Sequence, residues 1–381
     1  MRAGTIAIAA TIGAAAVTTL AGVALGRRVV MPGRPKYVRV VAVTADELTL
    51  ESNPDTRHAG EFGVWFNDDH GHARIGEVVS QDAQAKTVTR KILAVTGGDL
   101  RSAAMVRWSG HVFARPTDLH PAAREVDMPV EGGVAPAWVI PSTSEEQQAT
   151  WAIHVHGIRT TRITALRSVP AAQLLGYTSL VPSFRGDGEG PQTQRNASTL
   201  GQTEWRDIDS AIGYAIEHGA EKVVLFGWSM GASVVLLSAE RAVHRAAVAA
   251  LVLISPVTEW RTAIRAGAAR AHLPQALGSL AALFLSWAPL SRLTGLPAPI
   301  DFNTLDWTIH RRLNTPTLVI HSDGDTEIPL SLTQRFAAAH PSRVDLVEIP
   351  NAAHAWEFNV APDRFNGAIT EWLSARETAA R

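Results

Sequence analysis

The sequence predicts an α/β chain: a mostly parallel sheet with helices on both faces and a helical insertion, preceded by a small all-β domain and an apolar N-terminal helix. Three observations carry this. From Arg124 onward, short apolar runs alternate with helical patterns, the grammar of a helix-covered parallel sheet. Between Pro35 and Pro116 the hydrophobic period is near two, which marks strands. From Ala3 to Gly26 there is no charged residue.

The N-terminal run is bracketed by Arg2 and by Arg27-Arg28. A cleaved secretory signal has an apolar core of roughly 7 to 15 residues, whereas a membrane-spanning helix needs about 20. Length therefore favours a retained membrane anchor within residues 1–30. A signal cut near "AGVALG", giving a secreted protein, is the alternative. Arg27, Arg28, Arg34, Lys36 and Arg39 outweigh Arg2, and the positive-inside rule then places the body on the cytoplasmic side.

Residues 31–118 form the expected β domain. "KYVRVVAV", "ELTLES", "EFGVWF", "IGEVV", "KTVTRKILAV" and "MVRWSGHVFA" are strand-like, separated by the turn signals "NPD", "NDDHGH" and "TGGD". His70 and His72 in "NDDHGH" read as a polar hairpin tip rather than a metal site. The second domain spans 119–381. "REVDMPV" and "APAWVIP" form a hairpin, and "WAIHVHG", "YTSLVPSF", "KVVLFG", "VAALVLIS", "TPTLVIH" and "RVDLVEIP" supply buried strands. Ile208, Ile212, Ala215 and Ile216 recur at helical spacing between Gln202 and His218. Residues 256–307 interrupt the alternation with Ala- and Leu-rich helical sequence, too long for a connection, and are expected to act as a lid.

Composition narrows the function. Thirty-five Lys and Arg balance thirty-six Asp and Glu, so no basic surface calls for nucleic acid. Cysteine is absent, which excludes disulfides, thiolate metal sites and a cysteine nucleophile. No residue cluster calls for a metal or an organic cofactor.

The chemistry centres on Gly227-Trp228-Ser229-Met230-Gly231, between the strand "KVVLF" and a helical run. At an abrupt strand-to-helix turn, flanking glycines relieve a clash and leave the serine hydroxyl exposed at the helix N-terminus, where backbone N–H groups suit an oxyanion. A serine hydroxyl needs a base and an orienting acid, which in this arrangement follow in the order acid, then histidine. Asp323, Asp325 and Glu327 in "SDGDTEIP" are candidate acids, and His354 in "NAAHAWEF" is the candidate base. His154 and His321 flank strands and read as core histidines, Arg185 and Asp187 as loop-fixing. Trp228, Met230 and Trp356 are candidates for an acyl pocket.

From about Arg124 to the C-terminus these motifs resemble the α/β-hydrolase superfamily, in particular its esterase, lipase and prolyl-oligopeptidase-related branches. In that pattern the acid precedes a hydrophobic-Pro pair, and Ile328-Pro329 implies Asp325, with Asp323 as fallback. "HVHGIRT" resembles the family's His-Gly oxyanion segment. The backbone N–H groups of Ile158 and Met230 are then expected to hold the oxyanion, with Gly157 and Trp228 contacting substrate. "SFRGDGEG" resembles its Arg-Gly-x-Gly loop, and "LGQTEWRD", "GWSMG" and "AHAWEFN" resemble combinations found in actinobacterial hydrolases. The resemblance implies a cofactor-free serine hydrolase acting on a carboxylic ester or lipid-like substrate through an acyl-enzyme. Peptidase or acyltransferase activity on the same residues, or a non-catalytic binding protein on this scaffold, are the alternatives.

Overall fold

In a computed structural model, residues 18–31, 33, 35–142, 149–309 and 312–380 are described. The first body is a closed barrel of six antiparallel strands: β1 (Lys36–Val43), β2 (Glu47–Glu51), β3 (Phe62–Phe66), β4 (Gly71–Asp82), β5 (Thr87–Thr96) and β6 (Met105–Ser109), in the order β1-β2-β5-β4-β3-β6. Alternation does the work: Leu48 and Leu50 of β2, Phe62 and Val64 of β3, and Val106 and Trp108 of β6 point inward and are buried. Closure leaves no edge strand exposed to pairing. The Arg90 guanidinium lies inside the barrel and donates to the carbonyls of Thr56, His58, Gly60 and Gly76, so the buried cation is satisfied by backbone dipoles. At the "NDDHGH" tip Asn67, Asp68 and Asp69 take positive φ, and the His72 ring bonds the His111 carbonyl at 2.8 Å.

The second body is an eight-stranded sheet in the order β14-β13-β12-β11-β9-β10-β8-β7. β7 (Arg124–Val130) and β8 (Gly133–Ile140) form an antiparallel hairpin. β9 (Thr150–Val155), β10 (Thr178–Pro182), β11 (Lys222–Trp228), β12 (Val248–Ile254), β13 (Thr317–His321) and β14 (Val344–Glu348) run parallel. Covered on both faces, β11 and β12 are apolar along most of their length. One face carries α3 (Trp205–Glu217) and α4 (Met230–Arg241); the other packs against α2 (Val169–Leu174) and α10 (Pro362–Ala380). α8 (Leu330–Ala339) and the short α9 (Glu357–Val360) flank the last strand.

The insertion folds as α5 (Trp260–Arg270), α6 (Gln275–Ser286) and α7 (Ala288–Thr294). Residues 18–30 form a helix, here α1, whose buried positions are Gly22, Gly26 and Val30, one stripe at a spacing of four. Side chains on that stripe would collide with the insertion. A Cβ at Gly22 would fall 2.7 Å from the Phe284 ring of α6, and one at Gly26 2.8 Å from Thr294 of α7. Val30 is 1% exposed within the main core. Most of the expected anchor or signal, residues 1–17, lies outside the described residues. Among those described, no single helix is long and apolar enough to cross a membrane; α6 and α7 pass together by composition but are bent by 103°.

The barrel docks beside the C-terminal end of the sheet through residues 356–359. Trp356 caps the barrel core, 4.7 Å from Phe62 and 5.0 Å from His58 between ring centres. Asn359 donates to the Glu61 and Gly110 carbonyls at 2.6 and 3.0 Å, and the Glu61 N–H returns a bond to the Asn359 carbonyl at 2.9 Å.

Candidate active site

The turn from β11 into α4 places Ser229. Its φ of 53° with ψ of −113° is a conformation L-residues rarely hold, storing on the order of 1–3 kcal/mol of strain. The flanking glycines make it possible. A Cβ at Gly227 would lie 2.7 Å from the Gly231 carbonyl, and one at Gly231 would lie 2.4 Å from that of Val155. The turn is pinned by the Ser229 N–H on the Ile254 carbonyl at 2.8 Å.

His354, in the loop after β14, turns its Nε2 to Ser229 Oγ at 2.8 Å and its Nδ1 to Asp325 Oδ2 at 2.7 Å. Since the carboxylate only accepts, Nδ1 carries the proton and Nε2 is left to accept from the serine hydroxyl. Asp325 Oδ1 takes the N–H groups of Glu327 and Ile328 at 2.8 and 2.9 Å. Its Oδ2 also meets His321 Nε2 at 3.0 Å, while His321 Nδ1 bonds Thr333 at 2.6 Å. Burial opposes charge on both partners, but their attraction prevails. Asp325 is held well below the ordinary carboxylate range by His354 and His321, and His354 titrates above its ordinary 6.5 because of Asp325.

The neighbouring acids do other things. Asp323 Oδ1 accepts the Asn351 N–H at 2.9 Å, tying down the loop that carries His354. Glu327 pairs with Arg270 at 2.5 Å. Glu357, fully buried, accepts from Ser255 Oγ at 2.5 Å, and Ser255 Oγ in turn accepts the Ala355 N–H at 3.0 Å; burial pushes this carboxyl up.

A partly open cavity of about 120 Å³ lies next to Met230 and Gly157. Its lining includes Met31, Gly157, Ile158, Arg185, Asp187 and Met230, and neither Ser229 nor His354. Gly157 is tightly placed, since a Cβ there would lie 3.1 Å from that of Ser229 and from the Trp228 carbonyl oxygen. The Met230 N–H, first in α4, has no helical acceptor. The Ile158 N–H belongs to the peptide whose carbonyl, Gly157 O, is held at 2.8 Å by His156 Nδ1; His156 Nε2 reaches Asp187 Oδ2 at 3.0 Å. The His156 ring thus bridges the Gly157 carbonyl and the Asp187 carboxylate and fixes that peptide plane.

Two expectations need correction. Trp228 does not touch the cavity: it is fully buried on the opposite face of the sheet, its indole N–H on Ser168 at 3.1 Å and its ring stacked on Phe365 at 5.7 Å. In a strand the side chains at 224, 226 and 228 share a face, and all three belong to that second core. Trp356 belongs to the barrel contact. The lining of the cavity includes no residue of 256–307, while Arg270 of α5 pairs with Glu327, two residues from Asp325. His156 and the second histidine on Asp325, His321, were not read as site residues. The "HG" dipeptide was the available signal for the first, and nothing local signals the second. His154 is a core histidine, bonded to Ser168 and Ser179 at 2.8 and 3.0 Å, with burial pushing it down to about 3. Arg185 pairs with Asp207 at 2.6 Å, a loop-fixing contact. Among the described residues no group of His, Asp or Glu is disposed to hold a metal ion.

Residues 152–368, more than half of the chain, match the family described as alpha/beta hydrolase family. The chain belongs to that family. Residues 39–109 of this hydrolase, the barrel, match a family described as a domain of unknown function. No curated protein matches the hydrolase. Among solved structures, the esterase Pf2001 of Pyrococcus furiosus is similar at 20% identity, with a TM-score of 0.51 over 68% of this chain and 94% of that one. A second crystal form of the same esterase gives a TM-score of 0.50 at 20% identity, over 68% and 95%. Est1E from Butyrivibrio proteoclasticus gives 0.48 at 16% identity, over 68% and 99%. The Pf2001 likeness is one of fold, and it leaves part of the hydrolase, about a third, uncovered.

Proposed function

We propose that the protein is a serine hydrolase of carboxylic esters. The observation that carries this is the hydrogen-bonded chain from Ser229 Oγ through His354 to Asp325, set on a strained turn. Ser229 Oγ attacks the ester carbonyl carbon while His354 Nε2 takes its proton, and the N–H groups of Met230 and Ile158 receive the developing oxyanion. As the C–O bond to the alcohol breaks, His354 returns the proton to the leaving oxygen, leaving an acyl group on Ser229. Water then enters, deprotonated by His354, and releases the acid and the serine. Asp325 holds the imidazole tautomer and stabilises its charged form throughout. The ester is the class to test first because a fold neighbour carries the name esterase.

A fluorophosphonate probe and p-nitrophenyl butyrate test this together. The wild type should label and turn over, and Ser229→Ala should do neither; a wild type that neither labels nor hydrolyses sinks the enzyme reading and favours a binding role. Hydrolysis of peptides in preference to esters would point to a peptidase using the same residues.

A further inference from the structure

α6 has no polar side to turn to water. From Ala276 to Trp287 the only polar side chains besides the indole are Ser279 and Ser286, and none is charged. A helix that is apolar all round is ordinarily enclosed, yet this one is covered on one side only. Gly278, Ala281, Ala282, Phe284 and Leu285 are buried, while Leu283 is 51% and Trp287 55% exposed. These two are four positions apart and share a helical face. α1 is seated at Phe284 and Thr294, the sequence neighbours of Leu283 and Leu293. Leu293 is itself 49% exposed, and Leu20 of α1 is 69% exposed.

The charges carried by these helices have one sign. The chain as a whole is balanced, with 35 Lys and Arg against 36 Asp and Glu. Residues 1–45 and 260–300 nevertheless contain no acidic residue. α1 contributes Arg27 and Arg28, and Arg292 of α7 directly precedes Leu293; Arg28 and Arg292 are exposed. A two-fold contact with a second copy would bring these arginines against their own kind. Anionic lipid complements them, since leucines and a tryptophan suit the boundary between headgroups and acyl chains and arginines suit the phosphates. α6 and α7 together have the composition of a membrane span, but the 103° bend between them rules out a straight crossing and suits lying flat.

We propose that the exposed face of α1, α6 and α7 docks on an anionic phospholipid bilayer, with Leu20, Leu283, Trp287 and Leu293 entering the headgroup region and the arginines meeting lipid phosphates. The contact is peripheral. It stands apart from the serine-hydrolase reading, since no group of the triad takes part in it.

The absence of cysteine lets a single thiol report on a single position. Leu283→Cys and Trp287→Cys in the full chain, each carrying a nitrobenzoxadiazole label, are compared with Val243→Cys, a 79% exposed site between α4 and β12. On vesicles of mixed phosphatidylcholine and phosphatidylglycerol the first two labels should shift to the blue and the third should not. Vesicles of phosphatidylcholine alone should bind at least about fivefold more weakly. Leu283→Glu with Trp287→Glu should lower partitioning onto mixed vesicles by at least about tenfold, because burying one large apolar side chain is worth that much. The double variant should keep the wild-type circular dichroism, which separates lost docking from lost fold. Labels that stay wet while the protein floats with vesicles put the membrane contact elsewhere in the chain and overturn the proposal. So does failure to float, equal binding to both vesicles, or undiminished binding of the double variant. Labels already blue without vesicles overturn it as well: at every protein concentration they mean that the chain covers its own face, and only at high concentration that a second copy does.

Discussion

Asp325 carries two imidazoles on one carboxylate oxygen, His354 at 2.7 Å and His321 at 3.0 Å. His354 acts as a base only when neutral, and its titration lies above 6.5. kcat/KM should therefore rise with pH through a midpoint above 6.5, measured on a short ester; a midpoint below that value would show that burial, not Asp325, governs the ring. Asp325→Asn removes the negative charge that stabilises the imidazolium and can turn an amide N–H toward Nδ1, favouring the wrong tautomer, and should lower kcat by on the order of 10³–10⁴-fold. Asp323→Asn keeps an oxygen for the Asn351 N–H and should cost less than about tenfold. At this scale the sequence narrowed the acid to three neighbours, and the hydrophobic-Pro pair pointed at Asp325. What separates the three is which loop each side chain faces, a property of the folded chain. Trp228 was misassigned although strand alternation places it with Phe226 rather than with Ser229.

The β11–α4 turn shows how an element is written in glycine. Gly231→Ala drives a methyl group to 2.4 Å from the Val155 carbonyl and should destabilise the fold by about 2 kcal/mol or more, read from urea unfolding. Gly267 sits inside α5 with nothing near its would-be Cβ. Gly267→Ala should instead stabilise by about 0.5–1 kcal/mol, since only the helix propensity changes. A loss at both positions would mean that the steric reading of the turn is wrong. The same logic applies to α1, whose Gly22 and Gly26 form a G-x-x-x-G stripe. Length and missing charge drew the reading of this stretch toward a membrane. Its described part packs on α6 and α7; the spacing of four marks the face, and nothing within residues 18–30 names its partner.

At the scale of the molecule, the barrel and the sheet meet at the loop that positions His354. Strand content and the barrel's extent were legible from period-two runs and turn residues; the docking was not, because it joins residues about three hundred positions apart. Gly60 makes the closest approach, with φ of 117° and a would-be Cβ 2.3 Å from the Asn359 carbonyl. Gly60→Ala should push the barrel off residues 356–359 and lower kcat on p-nitrophenyl butyrate by at least about tenfold, a misplacement effect. Far-ultraviolet circular dichroism should keep its sheet signal. Unchanged turnover would show that the barrel is a passenger.

The seat of α1 and Met31 has a consequence for how the chain is assembled. Gly22, Gly26 and residues 28–31 leave the ribosome before the groups that receive them: Arg159, Ser198, Phe284 and Thr294 are made between about 130 and 270 residues later. The first-made segment must therefore stay unseated until the sheet and insertion exist. Contacts of such long sequence separation form late. In refolding, protection of the α1 amides from hydrogen exchange should accordingly follow that of β11, and simultaneous protection of both would show that the segment is seated as the sheet forms.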